Sequence, residues 1–253
     1  MSKRRLLLVL FAAVACAVLL VIGVTTAYFT EVEVKDNYIT IGNVSIELDE
    51  GAFSPTEPHI VVPGSVVEKS PKLINSGNKD EFVFMKVTVP KGSVTLLSES
   101  GSDRGRPKSN LNGGQQLFRL SAEATTPDTV QSVPQVSGKD IEFTYHSGSA
   151  EGNTVDGWLL LETKTDNSGY DEYIFGYNKK LEPNDETVTL FDEVQLKSFV
   201  DREKTGETEI GIVCCGIQAE YLKSEIAVNL TAEHQSLSEL QAVYTIVKNK
   251  ANV

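Results

Sequence analysis

Residues 210–219 read IGIVCCGIQA, an unbroken, largely apolar run. A run of this length and composition is typical of a β-strand buried on both faces. Cys214 and Cys215 are adjacent within it. They are read as small reduced core side chains. A vicinal disulfide between them is the strained alternative. A third cysteine, Cys16, lies far away near the N-terminus, so a disulfide framework is excluded by count.

Working outward, the chain alternates with a period of two. Tyr28, Thr30, Val32 and Val34 alternate with Phe29, Glu31, Glu33 and Lys35. Val44, Ile46 and Leu48 alternate with Ser45, Glu47 and Asp49, with Gly42 before them as a bend or bulge. Val83, Met85, Val87 and Val89 form an inward row that Pro90 is expected to break. Further strands are predicted near 66–74, 141–145, 158–163, 170–177, 187–190 and 225–230. Pro63-Gly64, Asn75-Ser76-Gly77 and Asp166-Asn167-Ser168-Gly169 supply turns between them. Many short strands with regular turns predict an all-β chain, a jelly-roll-like β-sandwich. No internal repeat is visible.

Two segments depart from this pattern. Residues 91–140 are polar and rich in Ser, Gly, Gln and Pro. They predict an irregular, partly mobile insertion with one apolar patch at 117–120. Near the end, Ser236 and Glu239 form a capping box, and Leu237, Leu240, Tyr244 and Val247 recur on one face. Lys248 and Lys250 stand where a helix dipole favours positive charge. A short C-terminal helix is expected.

The N-terminus carries Lys3, Arg4 and Arg5, then an uncharged run from Leu6 to Ala27 closing on Thr25-Thr26-Ala27. A basic start, an apolar core and a small-residue exit form a secretory signal, with cleavage expected between Ala27 and Tyr28. Residues 28–253 would then be one exported β-sandwich domain. Two alternatives stay open: a retained membrane anchor, since Leu6 to Val24 is long enough to span a bilayer, or lipid attachment at Cys16.

The chain has 23 basic and 35 acidic residues, a net charge of −12. Removing 1–27 takes three basic residues and no acidic one, so the remainder is more acidic still. Nucleic acid and anionic lipid are poor partners for such a chain; membrane contact is expected only through an uncleaved signal segment.

Little in the remainder suggests catalysis. His59, His146 and His234 share no HExxH or helical spacing and read as solvated loop histidines. There is no GxSxG, Walker loop, Rossmann glycine set or CxxC. Asp166, Asp171 and Glu172 flank one turn, and Glu182, Asp185 and Glu186 another. Carboxylates on such loops can bind Ca²⁺, but surface charge in a turn more simply solvates it. Asn43-Val44-Ser45 and Asn229-Leu230-Thr231 match the glycosylation sequon. No catalytic residue, metal site or cofactor is assigned.

The residues from Gly23 to Glu31 (GVTTAYFTE) and Asn43 to Leu48 (NVSIEL) resemble the TasA/camelysin family, exported proteins whose signal is cut by a SipW-type peptidase. Pro63-Gly64 leading to Asn75-Ser-Gly-Asn78, the YIFGYN of 173–178 and the GIQAE of 216–220 agree with it. The 91–140 insertion is not covered. The resemblance implies a jelly roll and a place in extracellular biofilm-matrix fibres, where the N-terminal segment of one subunit adds a strand to the next. Tyr28, Thr30, Val32 and Val34 would form the donated face, consistent with β-strand addition by a freed alternating segment. The same segment could instead fold back on its own sheet. The family name also carries a peptidase label, which no zinc motif here supports. A surface adhesin using the 91–140 insertion is a third reading.

Overall fold

The strands with the cleanest alternation form the centre of the computed structural model. It describes residues 39–41, 45–51, 62–108, 114–124, 130–135, 140–149, 155–165, 169–200, 209–222, 230 and 232–251. These belong to one compact unit, Asn37–Val253. The signal segment, the 28–35 strand, Gly42, His59, Asp166, both sequon asparagines and, apart from Leu230, the 225–230 strand lie outside the described residues.

The strands are β1 (Ile39–Ile41), β2 (Ile46–Asp49), β3 (Val66–Glu68), β4 (Lys72–Asn75), β5 (Glu81–Gly92), β6 (Gln115–Gln116) and β7 (Phe118–Ser121). They continue with β8 (Val130–Ser132), β9 (Thr144–His146), β10 (Trp158–Thr165), β11 (Tyr170–Tyr177), β12 (Glu193–Leu196) and β13 (Gly211–Gln218). Helix α1 is Ala219–Leu222 and α2 is Leu237–Ala251. The main sheet runs β1-β13-β5-β11-β10, with β6 paired to the end of β5. Smaller sheets are β3-β12-β7, β2-β4 and β8-β9. The chain is mostly β, as expected.

The main sheet is buried on both faces, as the 210–219 run predicts. Side chains alternate across a strand, so Val83, Met85, Val87 and Val89 face one way and Phe82 and Phe84 the other. The first row joins Leu73, Phe118, Leu120, Phe143, Tyr173, Phe175, Phe191 and Val194, a core closed by the smaller sheets. The second row joins Leu159, Leu161, Ile174 and Ile217 under Leu222, Leu240, Val243 and Val247. Helix α2 therefore roofs the face opposite the smaller sheets. Each buried side chain of this size contributes roughly 1.5–3 kcal/mol.

Four details differ from the sequence reading. The β5 strand runs through Pro90 to Gly92, because the Pro90 carbonyl accepts the Leu117 N–H (3.0 Å) and no donor is needed there. Residues 66–74 split at Pro71 into β3 and β4, which belong to different sheets. Residues 187–190 form no strand; Thr187 N–H bonds Leu73 O while Leu190 O accepts from His146 N–H, so no single ladder forms. In α2, Leu237 is 41 % exposed and Val243 takes its place in the core.

The 91–140 insertion supplies more than its one apolar patch. Leu117, Phe118 and Leu120 are buried, but so are Leu96, Val133, Gln115 and Gln116. Strand β7 pairs with β12, which ties the segment into the β3-β12-β7 sheet.

Candidate functional site at a sheet edge

The main sheet has two edges, and they are protected unequally. At β10 the ladder to β11 is irregular between Leu160 and Glu162. Helix α2 reaches over this strand: Gln241 Nε2 donates to Leu161 O at 3.2 Å and Lys248 Nζ lies 3.4 Å from Glu162. Lys164 adds charge on the same strand. A bulge, charges and a covering helix are the usual means of blunting an edge.

At the opposite edge lies β13 with β1 outside it, and among the described residues β1 spans only part of β13. β1 lies parallel to it, with Ile39 opposite Cys215, Thr40 opposite Gly216 and Ile41 opposite Ile217. Among the described residues, nothing pairs with Gly211, Ile212, Val213 or Cys214 on that side. An incompletely paired edge offers backbone donors and acceptors to another extended segment.

The expected site residues Ala27, Tyr28, Thr30, Val32 and Val34 lie outside the described residues. Cys214 and Cys215 are free thiols. Cys214 packs in the core closed by the smaller sheets and Cys215 against the helix-side core. Burial pushes the Cys215 thiol up to about 12, so it stays protonated and inert.

His146 and His234 are not solvated as expected. His146 Nε2 sits 2.7 Å from Asp192, whose carboxylate also accepts from Thr189 Oγ1 and the Glu123 N–H. His234 Nε2 sits 2.6 Å from Asp156, which also accepts from Lys179 Nζ at 3.1 Å. Their side chains are 14 % and 10 % exposed. Both partners come from distant parts of the chain, so sequence spacing gave no sign of them. The second pair anchors the start of α2: Gln235 N–H bonds Asn178 O, and the buried Asn178 amide holds Ser149 O, Val155 O and Gly157 N–H.

The acidic turn residues also have assigned roles. Asp171 is fully buried and pairs with Lys91 rather than facing solvent. Glu172 lies 3.8 Å from Lys164, and Glu186 accepts from Lys72 at 2.8 Å. Asp185 N–H bonds Glu182 O across a turn in which Asn184 has φ 70°. Among the described residues no three His, Cys, Asp or Glu side chains are grouped to hold a metal ion, and no helix is long and apolar enough to cross a membrane.

No family model, curated protein or solved structure matches this chain.

Proposed function

We propose that this protein is an exported structural subunit that associates with copies of itself, or with related subunits, into extracellular fibres of the cell surface or biofilm matrix. The resemblance to the TasA/camelysin family motivates this reading, together with a jelly-roll connectivity and processing between Ala27 and Tyr28 by a SipW-type peptidase. It assigns no enzymatic activity.

One observation supports the reading: among the described residues, β1 pairs along β13 only from Cys215 to Ile217. In this reading Tyr28, Thr30, Val32 and Val34, which precede β1 in the chain, pair with a neighbouring copy. Such a head-to-tail contact propagates when it does not close into a ring. The blunted β10 edge favours growth at one edge only.

Deleting residues 28–35 from the processed chain tests this. The variant should keep its fold by circular dichroism but stay monomeric by light scattering and electron microscopy, while the unaltered processed chain polymerises. Fibres from the deletion variant would refute donation and favour the adhesin reading.

A further inference from the structure

Three buried polar side chains meet where β5 ends, on the side of the main sheet that faces the smaller sheets. Lys91 lies directly opposite Gln116 of β6. Asp171 is on β11, the neighbour of β5 on its other side, opposite Val89. The Asp171 side chain is 0 % exposed, that of Lys91 6 %, and Gln116 is 1 % exposed. One Asp171 oxygen is 2.8 Å from Lys91 Nζ. The other accepts a hydrogen bond from Gln116 Nε2 at 2.9 Å. The Tyr173 hydroxyl accepts from the same Nε2.

A single carboxylate thus bridges a primary amine and a primary amide where water is excluded. A structural ion pair would need only the lysine and the aspartate. Here the carboxylate also touches the nitrogen that would leave if the amine attacked the amide. Cross-strand placement holds nucleophile and electrophile together, which removes much of the entropic barrier to such a step.

We propose that Lys91 and Gln116 become joined by an intramolecular isopeptide bond, with Asp171 as the catalytic proton carrier. Lys91 passes a proton to Asp171, and the freed Nζ lone pair attacks Gln116 Cδ while the carbonyl electron pair moves to Oε1. Asp171 returns the proton to Nε2. The carbonyl re-forms, the Cδ–Nε2 bond breaks and ammonia departs. The remaining extra proton on Nζ leaves through Asp171 to the ammonia, as ammonium. The lysine charge is lost, an amide forms, and no oxidant or cofactor is consumed. The bond would staple β6, and the insertion that carries it, to β5. This inference does not depend on the fibre reading.

Mass spectrometry of the denatured, purified chain tests it. The intact mass should fall short of that of its own sequence by one ammonia. Proteolysis should yield a branched peptide joining Lys91 to Gln116. Lys91→Arg and Asp171→Ala should each restore the mass of their own sequence. Should either variant fail to fold, the wild-type digest alone decides. Full mass with Lys91 and Gln116 in separate peptides would overturn the proposal. So would loss of one water with Lys91 linked to Asp171, an ammonia deficit located elsewhere, or a deficit that persists in Lys91→Arg.

Discussion

Ile39 faces Cys215 in a parallel register, whereas every other strand pair of the main sheet is antiparallel. The parallel pair lays Ile39–Ile41 along the half of β13 that holds the buried Ile217. Cys215 is thereby tied to the edge through its backbone and to the helix-side core through its side chain.

Because the two thiols point to opposite faces, they should behave as independent core groups. Cys214→Ala is expected to cost about 1 kcal/mol by large-to-small logic, and Cys215→Ala somewhat less because it is less buried. Thermal melts should be the same with and without reductant. A melting temperature that drops with reductant alone would show a disulfide.

Glu81 is fully buried opposite Gln218, and neither carboxyl oxygen has a hydrogen-bond partner among the described residues. Burial raises it from 4.5 to about 8. The nearest charges in sequence are engaged elsewhere, Asp80 with Lys180 and Lys79 with Glu220. The folded state therefore holds a proton that the unfolded chain releases above 4.5. Stability should fall as pH rises from 4.5 to about 8, by up to ~1.4 kcal/mol per unit. Glu81→Gln should flatten that slope in denaturant titrations run across the range. An unchanged slope would mean another group sets it.

Ser236 caps α2 reciprocally: its Oγ accepts the Glu239 N–H at 3.3 Å, and the Glu239 carboxylate accepts the Ser236 N–H at 2.7 Å. Ser236→Ala should destabilise by about 1 kcal/mol. The loss should appear as faster amide exchange in α2, since that helix roofs the main sheet.

Burial pushes the Asp156 carboxyl up, but hydrogen bonds from His234 and Lys179 outweigh it and the net shift is downward. Its contribution is present above the ordinary 3.8 and is lost as pH falls through the lower folded value. The group is partly exposed, so Asp156→Asn should cost only about 1 kcal/mol. Acid unfolding of the variant should begin at the same pH but with less stability to lose. A cost several times larger would mean the anchor of α2 depends on this one pair.

Much of the fold was legible because its strands alternate cleanly. β5, β10 and β11 follow from rows such as Val83, Met85, Val87 and Val89, and α2 from its capping box. The two-sided burial of β13 followed from its lack of polar residues. What escaped is carried by long-range polar pairing. Gln115 and Gln116 read as loop because their amides satisfy buried partners rather than water. His146, His234 and Asp171 read as surface groups because Asp192, Asp156 and Lys91 reach them only after folding. Thr187 to Leu190 looked like a strand because alternation cannot tell one ladder from several scattered bonds. The candidate edge was legible only as a free alternating segment, not as the surface it would use.

The central claim is that residues 28–35 pair with a neighbouring copy. Amide hydrogen exchange of those residues, compared between dilute monomer and assembled protein, tests it most directly. The account predicts rapid exchange in the monomer and strong protection on assembly, with protection also rising at Gly211, Ile212, Val213 or the edge of β1. Protection already complete in the dilute monomer would show the segment folded back on its own sheet, and assembly without protection would show that fibres form through another surface; either result contradicts strand donation.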